Sequence, residues 1–102
     1  MVCVASPDWL EENGPIETAD DLIDKPELRY GLRRGQGLAF KAPDGAKGTI
    51  QADPVLKASN GDFLREAAVS SLGMTIQPDF IVCDAVRTGQ LVPFLTDHEF
   101  DT

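Results

Sequence analysis

Residues 59–79 read SNGDFLREAAVSSLGMTIQPD, and they dictate a helix, a short strand and the start of a second helix. Ser59 with Asp62 three positions on has the capping-box spacing of a helix start. From there Phe63, Leu64, Ala67, Ala68 and Ser71 share one face while Arg65, Glu66 and Ser70 lie opposite, which is the 3.6-residue period of an amphipathic helix. Gly73 is expected to end that helix. Met74 to Ile76 then form a strand, Pro78 opens a helix running to about Val86, and Gly89 ends it. A helix returning the chain between strands gives those strands a shared direction, so this stretch predicts an α/β layer.

The flanking sequence repeats the pattern. Val55 to Ala58 precede Ser59 as a short strand, and Leu91 to Leu95 supply a last one, after which the acidic tail from Thr96 is expected to fray. Upstream, Val2 to Ala5 form a buried strand that stops at Ser6-Pro7. Ser6 caps a helix over residues 7–13, Asp8 suits its positive end and Gly14 is its expected left-handed stop. Thr18 with Asp21 marks a second short helix from Ala19 to about Asp24, with Leu22 and Ile23 as its buried side. Leu28 to Leu32 form a strand leading into Arg33-Arg34-Gly35-Gln36-Gly37. Leu38 to Lys41 and Lys47 to Ala52 flank Ala42-Pro43-Asp44-Gly45, the turn chemistry of a β-hairpin. The whole reads as one α/β domain with a mixed, mostly parallel sheet, short flanking helices and one hairpin, whose ligands sit beyond the carboxyl ends of the strands.

Composition narrows the function. At 102 residues with 42% hydrophobic content the chain fills one core. Nine basic against 17 acidic side chains leave a net charge of −8, which repels phosphate backbones. Cys3 and Cys83 stand far apart and no His or Cys has metal-ligand spacing, so no disulfide framework, metal or cofactor is signalled and a reducing cytoplasm fits. No apolar run approaches bilayer length, and Met1 to Ser6 lack the character of a secretory signal.

Val4-Ala5-Ser6-Pro7-Asp8-Trp9-Leu10, then Gly14-Pro15, then Thr18-Ala19-Asp20-Asp21-Leu22 form an ordered series. It continues through Ala58-Ser59-Asn60-Gly61-Asp62, Ala67-Ala68, Leu72-Gly73-Met74, Ile76-Gln77-Pro78-Asp79 and Gly89-Gln90-Leu91-Val92-Pro93-Phe94-Leu95. In order and spacing this resembles the second lobe of the effector-binding domain of LysR-type transcriptional regulators, over nearly the whole chain. One departure is Ser70-Ser71, where many members carry small residues with a glycine. The resemblance implies a bacterial, cytoplasmic regulator with an N-terminal winged helix-turn-helix and a two-lobed domain like a periplasmic solute-binding protein, the effector held between lobes. On that expectation residues 1–102 are one lobe, without the DNA-binding domain or the partner lobe. Val2 to Ala5 and Leu91 to Leu95 would be the hinge-side crossings. Promoter DNA would be contacted only through the N-terminal domain, and exposed edges would favour a homo-oligomer.

The expected effector surface comprises Ser6, Arg33, Arg34, Gln36, Ser59, Asn60 and Pro78. Two guanidiniums after a strand end can grip a carboxylate or phosphate, so an anionic effector is the complement; the plainer reading is solvated surface charge. Ser59 is more simply a helix cap, which leaves Asn60 the freer of the two, and Ser6 meets the same objection. No catalysis is expected, because the sole histidine, His98, lies in the tail without the partners of a triad. Trp9, Phe63, Cys3 and Cys83 are assigned to the core. The competing functions are a lobe of a solute-binding transport protein and a small hydrolase using Ser59.

Overall fold

A computed structural model describes residues 1–30 and 37–100. In chain order they form β1 (Val2–Ala5), α1 (Pro7–Asn13), a 3-10 turn (Ala19–Leu22), β2 (Pro26–Tyr30), β3 (Leu38–Lys41), β4 (Lys47–Ile50) and β5 (Asp53–Ala58). There follow α2 (Gly61–Val69), β6 (Met74–Gln77), α3 (Asp79–Arg87), β7 (Val92–Pro93) and β8 (Glu99–Phe100). The central sheet has the order β5-β2-β6-β1-β7, and a second, antiparallel sheet has the order β4-β3-β8. β2 runs parallel to both β5 and β6, whereas β1 is antiparallel to β6 and to β7. Four of the five central strands therefore share a direction and β1 alone opposes them, the mixed, mostly parallel sheet that the sequence leads one to expect.

Alternation along the strands divides the core between the two faces of this sheet. Val4 and Leu28 join Leu64, Ala67, Ala68, Val82, Ala85 and Leu91 beneath α2 and α3. Cys3, Ala5, Met74 and Ile76 face the other way, onto Trp9, Leu22, Leu38, Ile50, Leu95 and Phe100. That second face also holds an ion pair. Glu27 and Arg29, two apart on β2, are both buried and meet at 2.6 Å (Nη2 to Oε1) and 3.1 Å (Nε to Oε2). Each charge offsets the other's desolvation, so removing one partner costs about 3–5 kcal/mol. Burial, reinforced by the nearby Glu27 carboxylate, raises the Cys3 thiol well above its ordinary pKa.

Several local expectations are corrected. The second short helix is a 3-10 turn that stops at Leu22, because Ile23 turns extended (ψ 128°) and is exposed. Its start is as expected: Asp21 Oδ2 accepts from the backbone N–H of Thr18 (3.0 Å) and of Glu17 (2.9 Å). Helix α2 ends at Val69, and the left-handed residue beyond it is Ser71 (φ 66°), not Gly73. The departure from the family pattern at Ser70-Ser71 thus falls on the position whose backbone favours glycine. Gly73 is needed for a different reason: a Cβ there would lie 2.9 Å from the Pro26 carbonyl oxygen on β2. Gly14 likewise has an extended backbone, and a Cβ on it would lie 2.4 Å from the Leu10 carbonyl oxygen.

Phe63 and Cys83 are exposed, not core. Leu64, Ala67 and Ala68 define the buried stripe of α2, and Val82 with Ala85 that of α3; each outlier stands one residue, about 100°, off its stripe. The strand expected over Leu91 to Leu95 narrows to Val92–Pro93. Through Phe100 the tail does not fray. Glu99–Phe100 pair with β3, Phe100 is buried, and the His98 side chain is only 7% exposed.

Candidate functional site

The parallel strands bring three chain exits to one edge of the sheet. Tyr30, ending β2, is paired with Ala58, ending β5, and the register Leu28 to Thr75 carries β6 to its end at Gln77 on the same edge. From this edge the chain leaves into residues 31–36, into Ser59 and Asn60 before α2, and into Pro78 before α3. Val2, at the start of β1, is paired with Gln77, so the first residues of the chain lie here as well. β7 is paired with β1, which sets the two expected hinge-side segments next to each other.

Ser59, Asn60 and Pro78 are therefore neighbours in the fold, and Ser6 is not among them. Because β1 is reversed, Ser6 lies at the opposite edge. There its buried hydroxyl accepts from the Trp9 N–H (3.0 Å) and is 2.6 Å from the hydroxyl of Ser71, ahead of β6. Arg33, Arg34 and Gln36 lie outside the described residues.

At α2 the capping roles are exchanged. Asn60 Oδ1, not the Ser59 hydroxyl, accepts from the Phe63 N–H (3.2 Å), and the Asn60 carbonyl accepts from the Leu64 N–H (3.2 Å). Ser59 is exposed, and its hydroxyl makes no hydrogen bond among the described residues. Helix α3 has no side-chain cap; the half-buried Pro78 presents its carbonyl to the Ile81 N–H (3.0 Å). Backbone N–H groups at both starts retain donor capacity toward this edge.

Sequence reasoning missed Gln77. It is fully buried, its Nε2 donates to Thr75 Oγ1 (3.0 Å), and that hydroxyl donates to the Leu28 carbonyl (3.0 Å). Its Oε1 has no hydrogen-bond partner among the described residues and reaches under the start of α2, where a Cβ on Gly61 would approach it to 2.9 Å. The only signal was a polar residue at the end of a strand, which normally means solvent. Tyr30 was also passed over, yet it ends β2 at this edge and is exposed. Among the described residues no cluster of His, Cys, Asp and Glu could hold a metal, and no helix is long and apolar enough to cross a membrane.

Comparison with known proteins bears on the family and the fold. Residues 1–101 match the family model described as the LysR substrate binding domain. The HTH-type transcriptional regulator CrgA of Neisseria meningitidis (serogroup C) is 26% identical over 98 residues, covering 96% of this chain and 32% of CrgA. The chain thus spans about a third of the length of that relative. Among solved structures, the full-length virulence activator AphB of Vibrio cholerae superposes with a TM-score of 0.85 at 23% identity, over 98% of this chain and 34% of AphB. The regulatory domain of CrgA superposes with a TM-score of 0.76 at 26% identity, over 94% of this chain and 47% of that one. On its sequence and its fold alike, the chain belongs to the LysR substrate binding domain family.

Proposed function

We propose that this chain is an effector-sensing lobe of a LysR-type transcriptional regulator, contributing one wall of a ligand cleft. The convergence of the exits from β2, β5 and β6 on one sheet edge is the observation that carries this reading. Ligands of parallel α/β sheets lie beyond that edge, and the starts of α2 and α3 add positive potential to it. Ser59, Asn60 and Pro78 belong to this wall, together with Arg33, Arg34 and Gln36, which follow β2 in the chain. Two guanidiniums and two helix starts favour an anionic effector. Ser6 leaves the proposed site, because the reversal of β1 puts it at the far edge and its hydroxyl is occupied by Trp9 and Ser71.

In this reading the lobe neither performs catalysis nor touches DNA. The Ser59 hydroxyl has no hydrogen-bond partner among the described residues and the sole histidine, His98, packs on Phe40 and Phe100 of the second sheet, while the net charge of −8 disfavours phosphate contact. Promoter binding belongs to an N-terminal domain of the full regulator in the cytoplasm. Exposed apolar side chains such as Leu72 and Val55, the latter on edge strand β5, favour self-association.

The test uses the intact regulator with its promoter. Arg33→Ala and Arg34→Ala should each raise the effector concentration needed for response by about ten- to a hundred-fold, the loss of a charge-assisted hydrogen bond, while effector-free operator affinity stays constant. An unaltered dose response in both variants removes the arginines from the site. A signal peptide or permease gene encoded beside this segment, in place of a helix-turn-helix, would favour the transport reading.

A further inference from the structure

Away from that edge, the 3-10 turn, the β3–β4 turn and the segment before β8 border an open pocket of about 430 Å³. None of its lining residues belongs to the proposed effector wall. Phe40, Ala42 and Pro43 give it apolar walls, Glu17, Asp20 and Asp44 stand around it, and His98 closes it beside Asp97. The imidazole is held firmly. It lies between Phe40 (centroids 6.2 Å apart) and Phe100 (6.3 Å, 22° between planes), its side chain is 7% exposed, and its Nδ1 is 2.8 Å from Asp97 Oδ1. In the tautomer in which Nδ1–H donates to Asp97, Nε2 is left as an acceptor. Nε2 has no hydrogen-bond partner among the described residues.

From this geometry we propose that the pocket is a second small-molecule site, for an organic monocation, a primary amine carried on an apolar body. The volume falls in the usual range of ligand pockets, and an apolar lining with a few converging polar groups is their usual composition. The apolar body packs on Phe40 and Pro43, and the ammonium donates to His98 Nε2. Asp44 Oδ1 is engaged by the Ala46 N–H (2.9 Å) and Asp97 by His98, whereas the carboxylates of Glu17 and Asp20 have no hydrogen-bond partner among the described residues and are free to offset the ligand charge. Apart from His98, no basic side chain among the described residues lines the pocket. A carboxylate ligand would meet four acidic side chains there, so the site selects against the anions proposed for the other edge.

The experiment is an NMR titration of the isotope-labelled 102-residue chain with phenethylammonium, and with 2-phenylethanol and phenylacetate as neutral and anionic isosteres. Phenethylammonium should produce saturable shifts at the His98 ring and the amides of Thr18, Phe40 and Asp44, without shifts at Asn60 or Asp79. It should bind about tenfold more tightly than 2-phenylethanol, and the joint substitution Glu17→Gln with Asp20→Asn, both at exposed positions, should weaken it about five- to tenfold. His98→Phe keeps a ring in the stack and should weaken the amine more than the alcohol. Equal binding of all three compounds, no saturation by about 10 mM, or affinity indifferent to the two carboxylates would overturn the proposal. The proposed effector edge is untouched by any of these outcomes.

Discussion

Replacing Ser6 by alanine separates structural serines from ligand-facing ones. Ser6 is 3% exposed and its Oγ accepts from the Trp9 N–H at 3.0 Å, capping α1. Losing a cap costs about 0.5–2 kcal/mol, and burial of the orphaned Trp9 N–H puts this site at the upper end. The 2.6 Å contact with the Ser71 hydroxyl is lost as well, for about another 0.5–1.5 kcal/mol. The expected total is about 2–3 kcal/mol, well short of the roughly 5–15 kcal/mol that holds a domain folded. With a urea slope near 1.5 kcal/mol per M, the unfolding midpoint should fall by about 1.3–2 M without a change of slope. A fall of less than about 0.3 M, under 0.5 kcal/mol at that slope, would refute the cap and hydroxyl pair. In the intact regulator, folded Ser6→Ala should keep its effector affinity; a selective loss would restore Ser6 to the cleft.

Gly73→Ala should destabilise by about 1–3 kcal/mol, because its Cβ would meet the Pro26 carbonyl oxygen, a backbone atom that cannot swing aside; thermal unfolding reads it. A thiol reagent applied to the native chain should modify exposed Cys83 promptly and spare buried Cys3 until the chain unfolds; equal rates would contradict the packing of β1. Two backbone hydrogen bonds, from Glu17 and Thr18, hold the Asp21 carboxyl below its ordinary range. A depressed folded-state pKa stabilises above the unfolded value and is lost as pH falls through the folded one. Asp21→Asn should therefore flatten the acid limb of the stability curve below the usual carboxylate range, and an unchanged limb would show that the turn is open in solution.

Elements whose periodicity was long, α2 and α3 above all, were legible in the sequence, as were the hairpin and the positive φ of Gly45 and Gly89. The reversal of β1 was not. Nothing in Val2 to Ala5 says that β1 runs against β6, because a four-residue apolar strand pairs equally well either way, and that one reversal decides which edge receives Ser6. The exchange of caps between Ser59 and Asn60 was hidden for a related reason: adjacent Ser and Asn are equally good caps, and only where Gly61 meets Gln77 is the helix start fixed. Tail order came from Phe100 pairing with Phe40, a contact 60 residues apart that no local pattern reveals.

The central claim is that the edge formed by the ends of β2, β5 and β6 faces the effector. Hydrogen exchange of the intact regulator, with and without effector, tests it most directly. Protection should appear at residues 31–36, at Asn60 to Asp62 and at Asp79 and Phe80, leaving the start of α1 after Ser6 unchanged. Protection of the α1 start, with none at those three exits, would contradict it.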